Sequence, residues 1–291
     1  MIKHNPDNER IKHKYLVFQK EARQQSEATI DSIAKSFSRF EEYTQWRDFR
    51  RFHFGQAVGF KRHLLSQKNH RTGKPLSKST IGITLNHLKR CFEWLSQQPG
   101  YKSRLNYSDA EYFNLSEKDT RIASSARPRP FPTMEQIKHV IESMPAGSDV
   151  ELRNRALIAF TLLTGARDSA IASMSLKHVD LVECCFFQDA REVSTKFSKT
   201  FPTYFFPVGD DVLQIIYDWI VYLRENLLWS NEDPLFPATA VEVSDQNQFQ
   251  SAGLSRQHWK TASAIRAIFK EAFEAAGLVS CNVSSLDFLT S

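Results

Sequence analysis

The chain has 291 residues, 41% hydrophobic and 24% charged, a length and balance that suit two compact domains. No apolar run approaches the roughly 20 residues of a membrane-spanning helix, and the polar opening MIKHNPDNERIKHKY has no secretory apolar core, so a cytoplasmic protein is expected. The net charge of +5 conceals an asymmetry, with 21 Lys+Arg against 9 Asp+Glu in residues 1–105 and 17 against 24 in the remainder. A basic half favours a polyanionic partner, because each neutralised phosphate releases counterions; a solubilising surface is the bland alternative.

In chain order, residues 1–112 read as a basic helical domain. In FGQAVGFKRHLLSQKNHRTGKP, Val58, Leu64 and Leu65 are offered as core, with Lys61 and Arg62 outward. The basic turn NHRTGKPLSKS follows, broken by Gly73 and Pro75. The clearest helix is SKSTIGITLNHLKRCFEWLSQQPG, where Leu85, Leu88, Phe92 and Leu95 recur at helical spacing and Pro99-Gly100 stops the run. Residues 113–132, including RIASSARPRPFP, have the composition of a linker.

A second domain is expected over 133–291. It opens with a capping box, Thr133 and Gln136, ahead of Ile137, Val140 and Ile141. ELRNRALIAFTLL reads as a helix ended by Gly165, and DSAIASM as a short one after it. The segments VECCFFQ, REVSTKF and PTYFFPV are rich in β-branched and aromatic residues and predict a small antiparallel sheet. Val212, Ile215, Ile216, Trp219, Ile220 and Leu223 stripe one helix, and Ile265, Ile268, Phe269 and Phe273 another over about 256–276, closed by Gly277. The predicted class is mainly α with a small antiparallel sheet. Cys91, Cys184, Cys185 and Cys281 form no C-x-x-C pair and have no histidine at zinc spacing. Neither a metal nor a cofactor is therefore expected, and the Cys184-Cys185 pair reads as small core residues.

The run Leu162-Leu163-Thr164-Gly165-Ala166-Arg167, then a short helix and Leu176-Lys177-His178-Val179-Asp180-Leu181, resembles the first catalytic box of tyrosine recombinases, the phage-integrase family. The resemblance implies a helical SAM-like core-binding domain followed by an α+β catalytic domain, together gripping duplex DNA. It implies that Arg167 holds the scissile phosphate through a bidentate guanidinium fork. Lys196, with Lys199 as the fallback, matches the strand-turn lysine that protonates the leaving 5′ oxygen. STIGITLNHLKRCFEWL resembles the last core-binding helix, which makes Lys61, Arg62, Lys78, Lys89 and Arg90 phosphate contacts. The partners so implied are double-stranded DNA and further protomers, either copies of this chain or an intact recombinase.

The sequence also departs from the family. The H-x-x-R box, a further His or Trp and the nucleophilic tyrosine have no counterpart, since LVSCNVSSLDFLTS after Gly277 contains no His, Arg, Lys or Tyr. Ala170 stands where an acidic residue is often found. Tyr217 and Tyr222 read as helix-packing residues, and His258 lacks an arginine three positions on. The expectation is a chain truncated before its second box, which binds DNA without recombining it unaided. Two rivals stay open: a subunit lending Arg167 and Lys196 to a mixed assembly, and a helical interaction protein with no DNA role.

Overall fold

The computed structural model describes residues 4–69, 72–125, 131–243 and 247–278. The chain divides into two compact units, Met1–Arg127 and Pro128–Ser291. Among the described residues, no helix is long and apolar enough to cross a membrane.

The first unit is helical: α1 (Pro6–Val17), α2 (Glu27–Thr44), α3 (Phe54–Ser66), α4 (Lys78–Leu95) and α5 (Glu117–Ser124). Short polar side chains start most of these helices. Asn5, Ser26, Ser77 and Ser116 each accept a bond from an otherwise orphaned N–H of the first turn. The core is aromatic. Phe92 stacks on Phe52 with centroids 3.9 Å apart and meets Phe40, Phe49 and Phe113 within 6 Å. One buried polar knot fixes α1 against α2. Asn8 donates to Glu41 Oε1 (3.3 Å) and the Arg47 carbonyl (3.0 Å), and accepts from the Phe49 N–H. Lys12 neutralises Glu41.

Three sequence readings change here. The inward stripe of α3 is Ala57, Phe60 and Leu64, while Leu65 is exposed and Val58 half-buried. Ala57, Phe60 and Leu64 are spaced three and four apart and so share one face of the helix. Next, α4 is not the last helix of its unit. Residues 107–113 form a 3₁₀ segment and 117–124 form α5, both packed on α4, although composition places 113–124 in a linker. Ser116 caps α5 locally, a signal masked by the neighbouring Pro- and Ser-rich stretch.

The second unit contains α6 (Met134–Ser143), α7 (Asp149–Thr164), α8 (Asp168–Ser173), β1 (Val179–Asp180), β2 (Cys185–Gln188), β3 (Phe201–Tyr204), α9 (Asp210–Val221), β4 (Thr239–Val243), β5 (Phe249–Leu254) and α10 (Ser263–Ala275). The Thr133–Gln136 capping box forms as predicted, and Ser148 with Glu151 makes a second one on α7. Every residue of α7 from Ala156 to Thr164 is buried, so this helix is the axis on which the others pack. α9 lies along it through Ile216, Trp219 and Ile220, and the Trp219 indole donates to the Leu235 carbonyl at 2.9 Å. α10 ends in a paired closure: Leu278 N–H reaches the Phe273 carbonyl and Gly277 N–H the Glu274 carbonyl, with Gly277 at φ +77°.

The sheet runs β1-β2-β3, antiparallel throughout, with β4-β5 as a separate hairpin. The expected strand REVSTKF is instead the β2–β3 loop. Asp189 folds it back, its carbonyl accepting from the N–H groups of Glu192 and Val193 and its side chain from Arg191. Cys184 is exposed and Cys185 half-buried, because the pair falls at the β1–β2 turn, where Cys184 takes φ +49°.

Replacing Phe92 with alanine is expected to cost the first unit about 3–5 kcal/mol in urea unfolding, since four rings lose a partner they cannot collapse onto. The same unit carries a pH signature. Burial, then the charge of Arg90, pulls the pKa of His87 below its ordinary value while Nδ1 sits 3.0 Å from Ser36 Oγ. The unfolded chain therefore takes up a proton first, and stability is lost as pH falls from about 6.5 through the folded value. Thermal melts between pH 8 and 5 should show that loss, and His87→Gln should flatten it.

Candidate nucleic-acid interface

The site begins where α7 stops. Thr164 Oγ1 donates to the Phe160 carbonyl (2.6 Å) and accepts from the Ala166 N–H (3.2 Å). Gly165 takes φ +63°, which an L-residue adopts at a cost, and its N–H returns to the Thr161 carbonyl at 2.8 Å. The chain leaves this turn with Ala166 buried and Arg167 extended, as the residue before α8. Arg167 is half-buried, and its guanidinium has no hydrogen-bond or ion-pair partner among the described residues.

The β2–β3 loop is tied to α8 at Ser194. Its N–H donates to Ser173 Oγ (2.8 Å), and its carbonyl accepts from Ser169 Oγ (3.3 Å). Ser169 lies two residues after Arg167, and Lys196 two residues after Ser194, so these bonds hold the loop that carries Lys196 against the helix that follows Arg167. Lys196 is exposed and opens a 3₁₀ turn. Phe197 and Ser198 there take φ of +61° and +50°. The Lys196 ammonium lies 5.1 Å from the Phe197 ring, and Lys199 is also exposed. Asp168, the first residue of α8, bonds Arg266 of α10, a connection across 98 residues that no local pattern announces.

The histidines of this unit play another part. The Ser175 N–H donates to His178 Nδ1 (3.0 Å), leaving Nε2 to face Glu192 at 3.2 Å, and His258 Nε2 meets Ser175 Oγ at 3.2 Å. These contacts fasten the segment after α8 to the loop before α10, a strut rather than a phosphate clamp. No group of His, Cys, Asp and Glu suited to a metal occurs among the described residues.

Neither helix tyrosine contacts Arg167 among the described residues. Tyr222 stacks on Trp219 and donates to Asp149 Oδ1 at 2.7 Å, at the opposite end of α7. A helix of 16 residues places that end roughly 24 Å from the Gly165 turn. Tyr217 is half exposed on α9 and does not pack as its spacing predicts.

In the first unit, the five predicted DNA-contact residues separate into two groups. Lys61 donates to the carbonyls of Tyr112 (3.0 Å) and Asn114 (2.7 Å). Lys78 pairs with Asp119, and Lys89 meets Glu93, Glu111 and Asn114. These three lysines staple the segment 107–124 onto α3 and α4. Arg62 and Arg90 are exposed, with no hydrogen bond or ion pair among the described residues. Lys61→Ala is accordingly expected to lower the unfolding free energy of this unit by about 1 kcal/mol. Arg62→Ala and Arg90→Ala should leave its urea midpoint unchanged.

No family model matches the chain, and no curated protein matches it in sequence. Solved structures of integrases and recombinases do match in shape. A lambda integrase (75–356) dimer bound to a COC′ core site superposes with a TM-score of 0.59 at 10% identity, over 93% of this chain and 78% of that one. The XerH site-specific recombinase bound to difH substrate gives 0.55 at 15% identity, over 89% and 65%. A lambda integrase tetramer bound to a Holliday junction gives 0.52 at 15% identity, over 95% and 71%. Identities this low speak for architecture alone, and the chain has the fold of these integrases and recombinases.

Proposed function

We propose that this chain is a duplex-DNA-binding protein of the tyrosine recombinase type, in which Arg167 and Lys196 take hold of a backbone phosphate. The observation that carries the reading is Arg167 itself: a half-buried guanidinium without an internal partner, on a locked turn, beside a loop bearing an exposed lysine. Desolvating part of a cation without pairing it costs free energy that an external anion offsets. The basic balance of residues 1–105 favours a polyanion as that partner. Arg62 and Arg90 are its proposed contacts in the first unit, while Lys61, Lys78 and Lys89 act by holding that unit together.

Among the described residues, phosphate ligands are present but no tyrosine makes a hydrogen bond or ring contact with Arg167. Positioning and charge stabilisation do not replace a nucleophile, so the polypeptide binds without forming a phosphotyrosyl link. A second reading, in which Arg167 and Lys196 serve an assembly with an intact recombinase, is favoured by the dimeric and tetrameric DNA complexes of lambda integrase. Adding this chain to such a recombinase and scoring recombination separates the two.

The primary test is anisotropy of a labelled duplex across 50–200 mM salt. Affinity should fall by roughly 10³-fold or more if six or more phosphates are contacted. Arg167→Ala should weaken binding about tenfold or more, as loss of a charged hydrogen-bond pair does. Denaturing gels should show no covalent adduct. Folded protein that fails to bind at 50 mM salt would sink the proposal.

A further inference from the structure

A carboxylate lies directly beside Arg167 in the chain. Asp168 is only 19% exposed in its side chain, and both its oxygens are used. Oδ1 accepts from the Ser169 N–H at 2.7 Å and Oδ2 from Arg266 Nε at 2.5 Å. An anion at that place opposes a phosphate held by Arg167 unless something offsets it.

Arg266 does more than offset it. Of its five N–H donors, the bond to Asp168 uses the one on Nε. The two terminal nitrogens make no hydrogen bond among the described residues, and the side chain is 53% exposed. Its place on α10 is fixed, because Ile265 and Phe269 on either side are buried in the core. A guanidinium anchored through Nε holds its Nη pair outward as a ready fork, which matches two oxygens of one phosphate and loses little rotamer freedom on binding. The bond to Asp168 needs only Nε, so a tie between α8 and α10 leaves the rest of the guanidinium unused. Three elements tied to α8 thus carry cations: Arg167 after α7, Lys196 in the β2–β3 loop and Arg266 on α10.

We propose that Arg266 is a further phosphodiester-binding residue of this site, and that Asp168 positions it; the inference rests on the DNA-binding reading above. Lys270, one turn along α10, is already near Glu274 at 3.8 Å.

The experiment is the same duplex titration with Arg266→Gln, Asp168→Asn and the double variant, using the full chain. Glutamine keeps an N–H for Asp168 and so preserves the tie between α8 and α10, which a melting curve equal to wild type verifies. One lost phosphate contact should reduce the log–log salt slope by about one unit, making the fall in affinity between 50 and 200 mM about threefold smaller. The double variant should stay one contact short. Should Arg266→Gln melt early, Arg266→Lys keeps the pair with Asp168 while losing the fork, and should still weaken binding several-fold at equal stability. An unchanged slope in Arg266→Gln overturns the proposal. So does a wild-type slope in the double variant, which would mean that Arg266 serves only to cancel Asp168. Absence of duplex binding by the wild-type chain overturns the DNA reading itself, and this inference with it.

Discussion

A helix buried along its last nine residues has to end inside the protein, where water cannot satisfy its final carbonyls. In α7 that burden falls on a few atoms. Gly165 N–H closes on Thr161, Thr164 Oγ1 closes on Phe160, and the Phe206 N–H beyond β3 donates to Leu163 at 2.7 Å. The last of these bonds belongs to the sheet side, where the Phe205 N–H in turn meets the Cys184 carbonyl at 2.8 Å. The interactions that end the helix are therefore the same ones that seat the sheet against it. Arg167 and the β2–β3 loop are placed together as a consequence of that single burial constraint.

Charge in the first unit follows a comparable division of labour. Its surplus of cations does not lie uniformly free on the surface. Lys61, Lys78 and Lys89 spend their charge on carbonyls and carboxylates of the segment 107–124. Stapling of this kind lets a short 3₁₀ stretch and an eight-residue helix persist, lengths that are marginal in isolation. Arg62 and Arg90 have no hydrogen bond or ion pair among the described residues. A basic composition thus overstates the number of cations left available to a polyanion.

Features encoded locally were legible in the sequence, and features set by distant contacts were not. The Thr133–Gln136 box, the left-handed Gly165 and the Gly277 closure are short-range devices, and each was readable from residue type and spacing. The stripe of α9 was readable too, because one face of that helix is consistently apolar. The face of α3 was not: two apolar sets compete in FGQAVGFKRHLL, and only packing selects Ala57, Phe60 and Leu64. The loop over REVSTKF defeated β-propensity because Asp189 turns the backbone, and Cys184 lay on a turn that no apolar count marks. At the candidate site, a motif pointed to Arg167 and Lys196, while the bond between Arg266 and Asp168 spans 98 residues and no local pattern announces it.

The two arginines at either end of α7 show how environment separates structure from function. Arg153 is 1% exposed with no carboxylate beside it, and burial pulls its pKa down to about 10. It remains protonated at neutral pH because neutral acceptors surround it. Pro237 O and Thr239 Oγ1 take its terminal nitrogens, Asn154 takes Nε, and the Trp259 ring lies 4.7 Å from the guanidinium carbon. Such an arginine is spent: it holds the base of the β4–β5 hairpin to α7 and offers little to a ligand. Arg167 is less buried yet has no acceptor among the described residues, on a backbone that the Gly165 turn holds in place. Packing would favour a neutral side chain there, or an acceptor placed to meet it. The phosphate proposed for Arg167 would supply the acceptor that the described residues do not.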